Sequence, residues 1–370
     1  MILLTAAASL VSLISARSIK PVAHKNNKKS HQYVKMGSGE NRKYKEVSTH
    51  ICLPLWAPSQ PTDEIMADNN IMTAPCQRMV ACLNLKRYTR TMYIGVDIGG
   101  SKILVVAGNA KHQILRQQKI KTPEDGHQGV IEIIHLIEQV AAGDEIKSII
   151  VASAGPLDFK NGCIRESSPN MHGWRGTKLI EPIKNHFKRP TELVADTAAA
   201  AVTEATIGAA KGEEFVLYVT ISTGVGAALV AGGEAYQGVT GIEAGHIIID
   251  PDGPPCGCGG RGHFEAMVSG KAIKKKYGLF GYQITDPKIW DEIAATMALG
   301  FHSLIVSYSP SVIVIGGGVG VHYAKFHDFL MKHLAELHPL YPLPEIRQAK
   351  YIETAVAYGA LILAAQHYSS

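Results

Sequence analysis

Four side chains that can bind a metal ion lie within eighteen residues of the chain: His246, Cys256, Cys258 and His263. A Cys-Gly-Cys pair cannot easily close a disulfide on itself, so shared metal binding is the better interpretation of the two thiols. Two thiolates and two imidazoles form a tetrahedral donor set that suits Zn²⁺. Because four donors fill the coordination shell, the ion would be structural. The alternative is a Cys-Gly-Cys turn that holds no metal.

Two acidic residues, Glu243 and Glu265, flank this cluster. Carboxylates can accept hydrogen bonds from the vicinal hydroxyl groups of a ligand. A bound ion would hold both side chains in fixed positions.

A third carboxylate, Asp196, follows a predicted strand over 192–195 and begins a predicted helix over 196–204. At a strand-to-helix junction that faces a cleft, this side chain could take the proton from an attacking hydroxyl group. The simpler role is that of a helix N-cap, and the two roles are compatible.

Two segments share the pattern of a β-rich run, a glycine-rich turn and a second β-rich run. The first, 93–107, turns at Gly99-Gly100-Ser101, and the second, 215–230, turns at 222–226 (STGVG). Such hairpin tips expose successive backbone N–H groups and let the backbone approach an anion. Two tips facing each other could hold the phosphates of one nucleotide, although each alone could be an ordinary turn.

Asp97 lies at the end of the first strand of the first hairpin, among residues expected to be buried. A carboxylate there is costly unless it is paired, hydrogen-bonded or close to a cation, which suits contact with Mg²⁺. Capping of its own turn is the alternative.

The elements that must position these residues follow from hydrophobic periodicity. It predicts helices over 128–140 and 288–307, one ending near 337 and one over 353–366, and strands over 146–152, 247–250 and 312–315, with a turn at 316–318. Alternation of strands and helices predicts an α/β architecture.

Composition excludes several classes of protein. Of the 370 residues, 46% are hydrophobic and 19% are charged, unlike a disordered, collagen-like or disulfide-scaffold protein. Residues 1–91 carry 13 Lys and Arg against 5 Asp and Glu, whereas residues 92–370 carry 24 against 27. The basic excess belongs to the first quarter of the chain, so nothing places nucleic acid or an anionic membrane against the body.

The segment 1–91 begins with an apolar run, 1–14, that is too short to span a bilayer and lacks the positive n-region of a secretory signal. No sustained period follows, so little packed structure is expected there. Three interpretations stay open: a processed leader, a translated region upstream of a functional start near Met92, and a small DNA-binding appendage.

Five motifs between Met92 and the C-terminus resemble, in order and spacing, the signatures of the ROK family (repressors, open reading frames, kinases). They are DIGGSK at 97–102, SPN at 168–170 with Gly-Trp at 173–174, STGVG at 222–226, EAGH at 243–246, and CGCGGRGHFE at 256–265. The resemblance covers the body and none of 1–91.

The resemblance implies an α/β protein with the actin-like ATPase (ribonuclease H-like) fold, in which two α/β domains, 92–205 and 206–370, flank a cleft. The closing helix could return to the first domain. It further implies ATP and Mg²⁺ in the cleft, a structural Zn²⁺, and glucokinase-like phosphorylation of a sugar hydroxyl. The spacing of the cysteines favours the reducing cytosol as the compartment. We expect a homodimer that binds neither nucleic acid nor membrane.

Carried over position by position, the resemblance implies that Asp196 is the catalytic base. Sugar contacts would come from Asn170, Asp196, Glu243, His246 and Glu265, and zinc ligands from His246, Cys256 and Cys258. The nucleotide phosphates would lie near Asp97, Gly99, Gly100, Ser101, Lys102, Thr223, Gly224 and Gly226, and the adenosine near Gly316, Gly317 and Gly318. His246 can serve twice because its two ring nitrogens are distinct.

The sequence departs from the family pattern in two places. His263 stands where the family has a third cysteine, which keeps a metal-binding side chain with a longer reach. Ala195 stands where Asn is common, which removes an amide that would hydrogen-bond the sugar. Three alternatives stay open: a sugar-responsive transcriptional regulator, a catalytically weak sugar-binding protein, and a kinase for fructose or an N-acetylated amino sugar.

Overall fold

The computed structural model describes residues 48–53, 81–86, 89–166, 171–337 and 342–368. The strands are β1 (Ser48–Leu53), β2 (Ala81–Lys86), β3 (Thr91–Ile98), β4 (Lys102–Gly108), β5 (Ile114–Lys121), β6 (Glu145–Ser153), β7 (Leu157–Asp158), β8 (Cys163–Ile164), β9 (Thr191–Ala195), β10 (Phe215–Ile221), β11 (Val225–Ala231), β12 (Glu234–Ala235), β13 (Val312–Gly316) and β14 (Glu345–Gln348). The α-helices are α1 (Gly126–Ala141), α2 (Ile180–Phe187), α3 (Asp196–Thr206), α4 (Phe264–Val268), α5 (Gly270–Tyr277), α6 (Pro287–Tyr308), α7 (Gly317–Gly320), α8 (Tyr323–Leu337) and α9 (Ala355–Tyr368).

The first large sheet has the strand order β5-β4-β3-β6-β9. The hairpin β3–β4 and the strand β5 pair antiparallel, whereas β3, β6 and β9 run parallel. Strands β3, β4 and β6 are almost continuously buried, as expected for strands covered on both faces.

The second large sheet repeats this plan with the order β12-β11-β10-β13-β14. Here the antiparallel hairpin is β10–β11, and β10, β13 and β14 run parallel. The two glycine-rich turns predicted from the sequence therefore occupy equivalent places in two similar sheets.

Helices α3 and α9 share one hydrophobic core with faces of both sheets. The run of alanines in α3 permits close packing, and the backbone of Gly359 in α9 lies so near Ala199 that a Cβ would overlap its carbonyl oxygen. A second core holds the other face of the second sheet together with α6 and α8, and a third holds the other face of the first sheet with α1. The result is a layered α/β architecture.

Helix α6 is, within the described residues, long and apolar enough by length and composition to cross a membrane. Half of it is buried, and Trp290, Met297 and Phe301 lie in the second core. Its apolar character is therefore explained by packing against the second sheet.

Most predicted elements are confirmed within a few residues, including the helices that became α1, α6, α8 and α9. The predicted strand over 247–250 is wrong, because this segment makes a single bridge, from Ile248 to His263. At the turn predicted for 316–318, Gly316 ends β13, and Gly317 and Gly318 begin the short helix α7. In the segment expected to hold little structure, β1 and β2 pair antiparallel.

Candidate active site and metal centre

Asp196 is the first residue of α3, directly beyond the carboxyl end of β9. The N-cap of α3 is Ala195, so the prediction that Asp196 is the N-cap is wrong by one residue. Thr197 N donates a hydrogen bond to Asp196 Oδ1 at 2.7 Å. Burial raises the pKa of the Asp196 carboxyl to about 6, although backbone hydrogen bonds oppose the shift. A carboxyl group poised near neutral pH is suited to accept a proton.

Asp97 lies near the carboxyl end of β3 and is only 7% exposed. In the parallel strands it stands opposite Ala152, and the next residue of β6, Ser153, stands opposite Ala195. Asp97 and Asp196 therefore lie at the same edge of the first sheet. Burial first, and then the negative charge of Asp196, raise the pKa of the Asp97 carboxyl to about 7. A divalent cation would relieve this repulsion, and carboxylate oxygens are ligands that Mg²⁺ prefers.

The first glycine-rich tip follows Asp97. Gly99 N donates to Lys102 O at 3.0 Å, which closes the turn and leaves Gly100 and Ser101 exposed. Lys102 Nζ donates to Glu353 O at 3.2 Å, in the segment that leads into α9. The first tip is therefore hydrogen-bonded to the segment that precedes α9.

The second glycine-rich tip, 222–224, is closed by a hydrogen bond from Ser222 N to Gly224 O at 2.8 Å. The next residue after the tip is Val225, whose backbone N donates to Glu265 Oε2 at 2.9 Å. Glu265 is one of the predicted sugar contacts. A Cβ at Gly224 would overlap the same carboxylate oxygen. The tip and the Glu265 side chain thus form one unit.

The two sheets meet beside Asp196. A Cβ built on Gly226 of β11 would lie 2.8 Å from Thr197 Cγ2, so the first turn of α3 touches the second hairpin. A larger residue at Gly226 would push the second tip away from Asp196. Asp196 therefore directly precedes the residue that touches the second hairpin, and its charge acts on Asp97 at the edge of the first sheet.

The third glycine segment, 316–318, packs against the end of β10. Gly317 has a φ of +83°, in the region that favours glycine, and a Cβ there would lie 2.5 Å from Ile221 O. A Cβ on Gly318 would lie 3.7 Å from Ser222 Oγ. The segment assigned to the adenosine side is therefore adjacent to the second tip.

The four predicted metal ligands come together. One ligand atom from each of His246, Cys256, Cys258 and His263 lies within 4.8 Å of all the others. His246 Nδ1 is 3.8 Å from Cys256 Sγ, and His263 Nδ1 is 3.2 Å from Cys258 Sγ. Donor atoms of a tetrahedral Zn²⁺ site lie about 3.3–3.8 Å apart, given the usual Zn–S and Zn–N bond lengths. The set therefore fits Zn²⁺ with small movements of the side chains.

The cluster lies beside the predicted sugar contacts. The second ring nitrogen of His246, Nε2, is 3.9 Å from Glu243 Oε2. Phe264 N donates to Ile247 O at 2.8 Å, which fixes the start of α4 and with it Glu265. The segment 243–265 therefore carries the four predicted metal ligands together with Glu243 and Glu265.

Asn170 lies outside the described residues. Sequence patterns did not identify Gln237, whose Nε2 donates to Leu193 O at 3.2 Å and links the loop after β12 to β9. Its partner is a backbone carbonyl 44 positions away, so nothing in the local pattern could have signalled it.

The chain is similar to known proteins over most of its length. A sequence model of the ROK family matches residues 93–367. A glucokinase of Pyrobaculum calidifontis is 30% identical over 74% of this chain and 94% of its own length. An N-acetylmannosamine kinase of Haemophilus influenzae is 30% identical over 72% of this chain and 93% of its own length.

Solved structures give the same result. A ROK hexokinase from Thermus thermophilus superposes with a TM-score of 0.69 at 30% identity, over 75% of this chain and 99% of that one. A ROK family glucokinase from Streptomyces griseus, in complex with glucose and AMPPNP, superposes with a TM-score of 0.63 at 26% identity, over 74% and 99%. With its two similar sheets, its paired glycine-rich tips and this match over most of its length, the chain belongs to the ROK family and has the family's actin-like ATPase fold of two α/β domains.

Proposed function

We propose that the protein is an ATP-dependent hexose kinase that transfers the γ-phosphoryl group of ATP to the primary hydroxyl of glucose. The relatives named glucokinase and hexokinase support this proposal. The single observation that carries it is the position of Asp196, next to the buried carboxylate of Asp97 and in contact, through Thr197, with the second glycine-rich hairpin.

Asp196 would accept the proton of the sugar hydroxyl as that oxygen attacks the γ-phosphorus. The backbone N–H groups of the two tips, at Gly99, Gly100 and Ser101 and at Thr223, Gly224 and Gly226, would donate hydrogen bonds to phosphate oxygens. Lys102 would add positive charge at the first tip. A Mg²⁺ ion near Asp97 would neutralise charge on the phosphates.

The sugar would lie against Glu243, His246 and Glu265, with Asn170 as a further contact. These carboxylates accept hydrogen bonds from hydroxyl groups, and Glu265 is already held by Val225 N. A Zn²⁺ ion bound by His246, Cys256, Cys258 and His263 would supply structure rather than chemistry, because it would fix the segment that carries both acids. The adenosine would lie beside 316–318.

Closure of the two domains over the ligands would exclude water, since a site that activates a hydroxyl group could otherwise hydrolyse ATP. We place the domain limits at 92–205 and 206–370 and infer a homodimer. A cytoplasmic location fits Cys163, Cys256 and Cys258, which form no disulfide among the described residues, because the cytosol keeps thiols reduced.

An N-acetylated amino sugar is the second candidate acceptor. The specific observation that favours it is Ala195, which replaces an amide expected to bond a glucose-type sugar and leaves more room beside Asp196. The relative named as an N-acetylmannosamine kinase is as similar as the glucokinase.

A panel of glucose, fructose, mannose, N-acetylglucosamine and N-acetylmannosamine, assayed for ADP release with ATP and Mg²⁺, tests the proposal. The highest kcat/KM for glucose is the expected result. A higher kcat/KM for an acetylated sugar would mean that this sugar is the acceptor, and the proposed reaction, phosphoryl transfer from ATP, would stand. If no sugar stimulates ADP release, and the full chain binds duplex DNA in a salt-dependent manner, the regulator becomes the better account.

A further inference from the structure

Two segments join the two large sheets. Residues 207–214 lead from α3 to β10 in the second sheet, and residues 349–354 lead from β14 back to α9. Helix α9 is anchored on the first sheet, where Ser148 Oγ donates to Ala364 O at 2.8 Å. A hinge motion between the domains must be absorbed by backbone rotations in such connecting segments.

One buried carboxylate bonds to both segments. Glu204, near the end of α3, is fully buried. Its Oε2 accepts hydrogen bonds from Ala209 N at 2.7 Å and Lys350 N at 3.1 Å, and its Oε1 accepts one from Tyr351 N at 2.6 Å. Burial of a carboxylate is costly unless donors compensate it, and these three N–H groups do so.

Neighbouring side chains bind the same segments. Thr203 Oγ1 donates to Ala355 O at 2.6 Å, at the first residue of α9, directly after the second connecting segment. Arg347 Nη1 donates to Ala209 O at 3.0 Å, and its Nη2 donates to Glu213 Oε1 at 2.9 Å. The last turn of α3 is therefore the point at which the two connections are held together.

The same elements lead into the active site. Helix α3 begins at Asp196, so Glu204 and the proposed base lie on one rigid element. In the second connecting segment, Glu353 O accepts a hydrogen bond from Lys102 Nζ of the first tip. At its start, Ala349 N donates to Ile315 O, one residue before the glycine segment 316–318.

We propose that Glu204 is a positioning residue that fastens both interdomain connections to α3, so that domain closure brings the second hairpin and Asp196 into register. This inference rests on the proposed kinase function. If the connections are loosened, a smaller fraction of molecules has the domains arranged to bind sugar. The apparent affinity for the sugar falls in proportion to the fraction of binding-competent molecules, whereas the rate of the chemical step in the closed complex is largely preserved.

The test compares three variants with the unmodified full chain. Glu204→Gln keeps the size of the side chain but has one acceptor oxygen, so an NH₂ group must face a backbone N–H. Thr203→Val removes only the hydroxyl that bonds Ala355 O. Ser148→Ala is the matched control, because it removes a buried hydrogen bond that holds α9 to the first sheet and involves neither connecting segment.

Two readouts separate positioning from simple destabilisation. For Glu204→Gln we expect amide hydrogen exchange, measured without ligands, to accelerate about tenfold or more in 207–214 and 349–354 together, and the sugar KM to rise about three- to tenfold with kcat changed less than about twofold. Ser148→Ala should leave the exchange of both segments and the KM unchanged. A lower melting temperature with unchanged KM, or faster exchange in one segment alone, would overturn the proposal.

If Glu204→Gln does not fold, Thr203→Val decides by the same measurements. It should accelerate exchange in 349–354 and raise the sugar KM about twofold or more, and an unchanged KM would refute the inference. If the unmodified protein phosphorylates no sugar, the proposed function fails. The exchange data need no substrate, so they still show whether Glu204 couples the two segments.

Discussion

Asp196 combines the start of a helix, the edge of a parallel sheet and partial burial, and each of these bears on its charge. The positive end of α3 favours the carboxylate, whereas loss of water favours the protonated form. The balance leaves its pKa at about 6. With this pKa, a modest change of pH near neutrality alters the protonation of the proposed base.

A pH profile of activity should show this directly. The base acts in its deprotonated form, so kcat/KM should be level near pH 8 and fall tenfold per pH unit below an apparent pKa of about 6. The measurement is kcat/KM for the preferred sugar between pH 4.5 and 8.5, with protein stability checked at each pH. A level profile down to pH 5 would mean that the group which limits the rate is not Asp196.

Ala195 offers a gain-of-function test at the neighbouring position. Ala195→Asn restores an amide beside the base, and one hydrogen bond to the sugar contributes about 1 kcal/mol, or roughly a fivefold lower KM for glucose. Initial rates at varied glucose, compared with those of the unmodified protein, measure the effect. If Ala195→Asn raises the KM for an acetylated sugar but not for glucose, the space at this position serves the acetyl group.

The types and spacing of residues were enough to predict the metal ligands and the proposed base as candidates, because each function needs particular atoms. They could not predict Glu204. Its three partners are backbone N–H groups, two of which are about 146 positions away, and a glutamate within a helix is ordinary. Such a role emerges only once the chain is folded.

At the scale of elements, the second hairpin tip and Glu265 depend on each other. Gly224→Ala should displace the Glu265 carboxylate, break its hydrogen bond with Val225 N and raise the sugar KM about tenfold. Since the effect acts through Glu265, the double variant with Glu265→Gln should be little worse than Glu265→Gln alone. Kinetics of the two single variants and the double variant measure the coupling. Additive losses would show that Gly224 acts independently of Glu265.

The metal-binding segment gives a second prediction at this scale. Metal analysis of protein purified without chelators should find about one zinc per chain, and Cys256→Ser should lose it together with sugar affinity. Cys163→Ser is the control, because Cys163 lies in β8 outside the cluster. A metal-free native protein with full activity would contradict a structural zinc site.

The same segment explains the main error in the predicted elements. Three isoleucines at 247–249 are typical of a buried strand, yet Ile248 is 60% exposed. Ile249 N and Asp250 N both donate to Gly262 O. The backbone of this segment therefore pairs with the residues after Cys258 and not with a strand of a sheet. Local β propensity gives way here to the geometry of the metal-binding segment.

At the scale of the whole molecule, two similar sheets pack against a shared pair of helices, α3 and α9, and the glycine-rich tips come from equivalent hairpins. The repeated strand–turn–strand pattern predicted the two hairpins, and the resemblance to the ROK family implied the two α/β domains. The way in which the connecting segments are fastened was not predictable, because it depends on contacts between residues far apart in the chain.

The proposed reaction requires Asp196 to activate a sugar hydroxyl held between the two domains. The most direct test follows the product by ³¹P nuclear magnetic resonance, with ATP, Mg²⁺ and glucose, for the unmodified protein and Asp196→Asn. We expect a sugar 6-phosphate signal that grows with ADP, and an Asp196→Asn protein that still binds glucose but forms the product about 10²–10⁴-fold more slowly. Near-normal formation of the sugar phosphate by Asp196→Asn would contradict it.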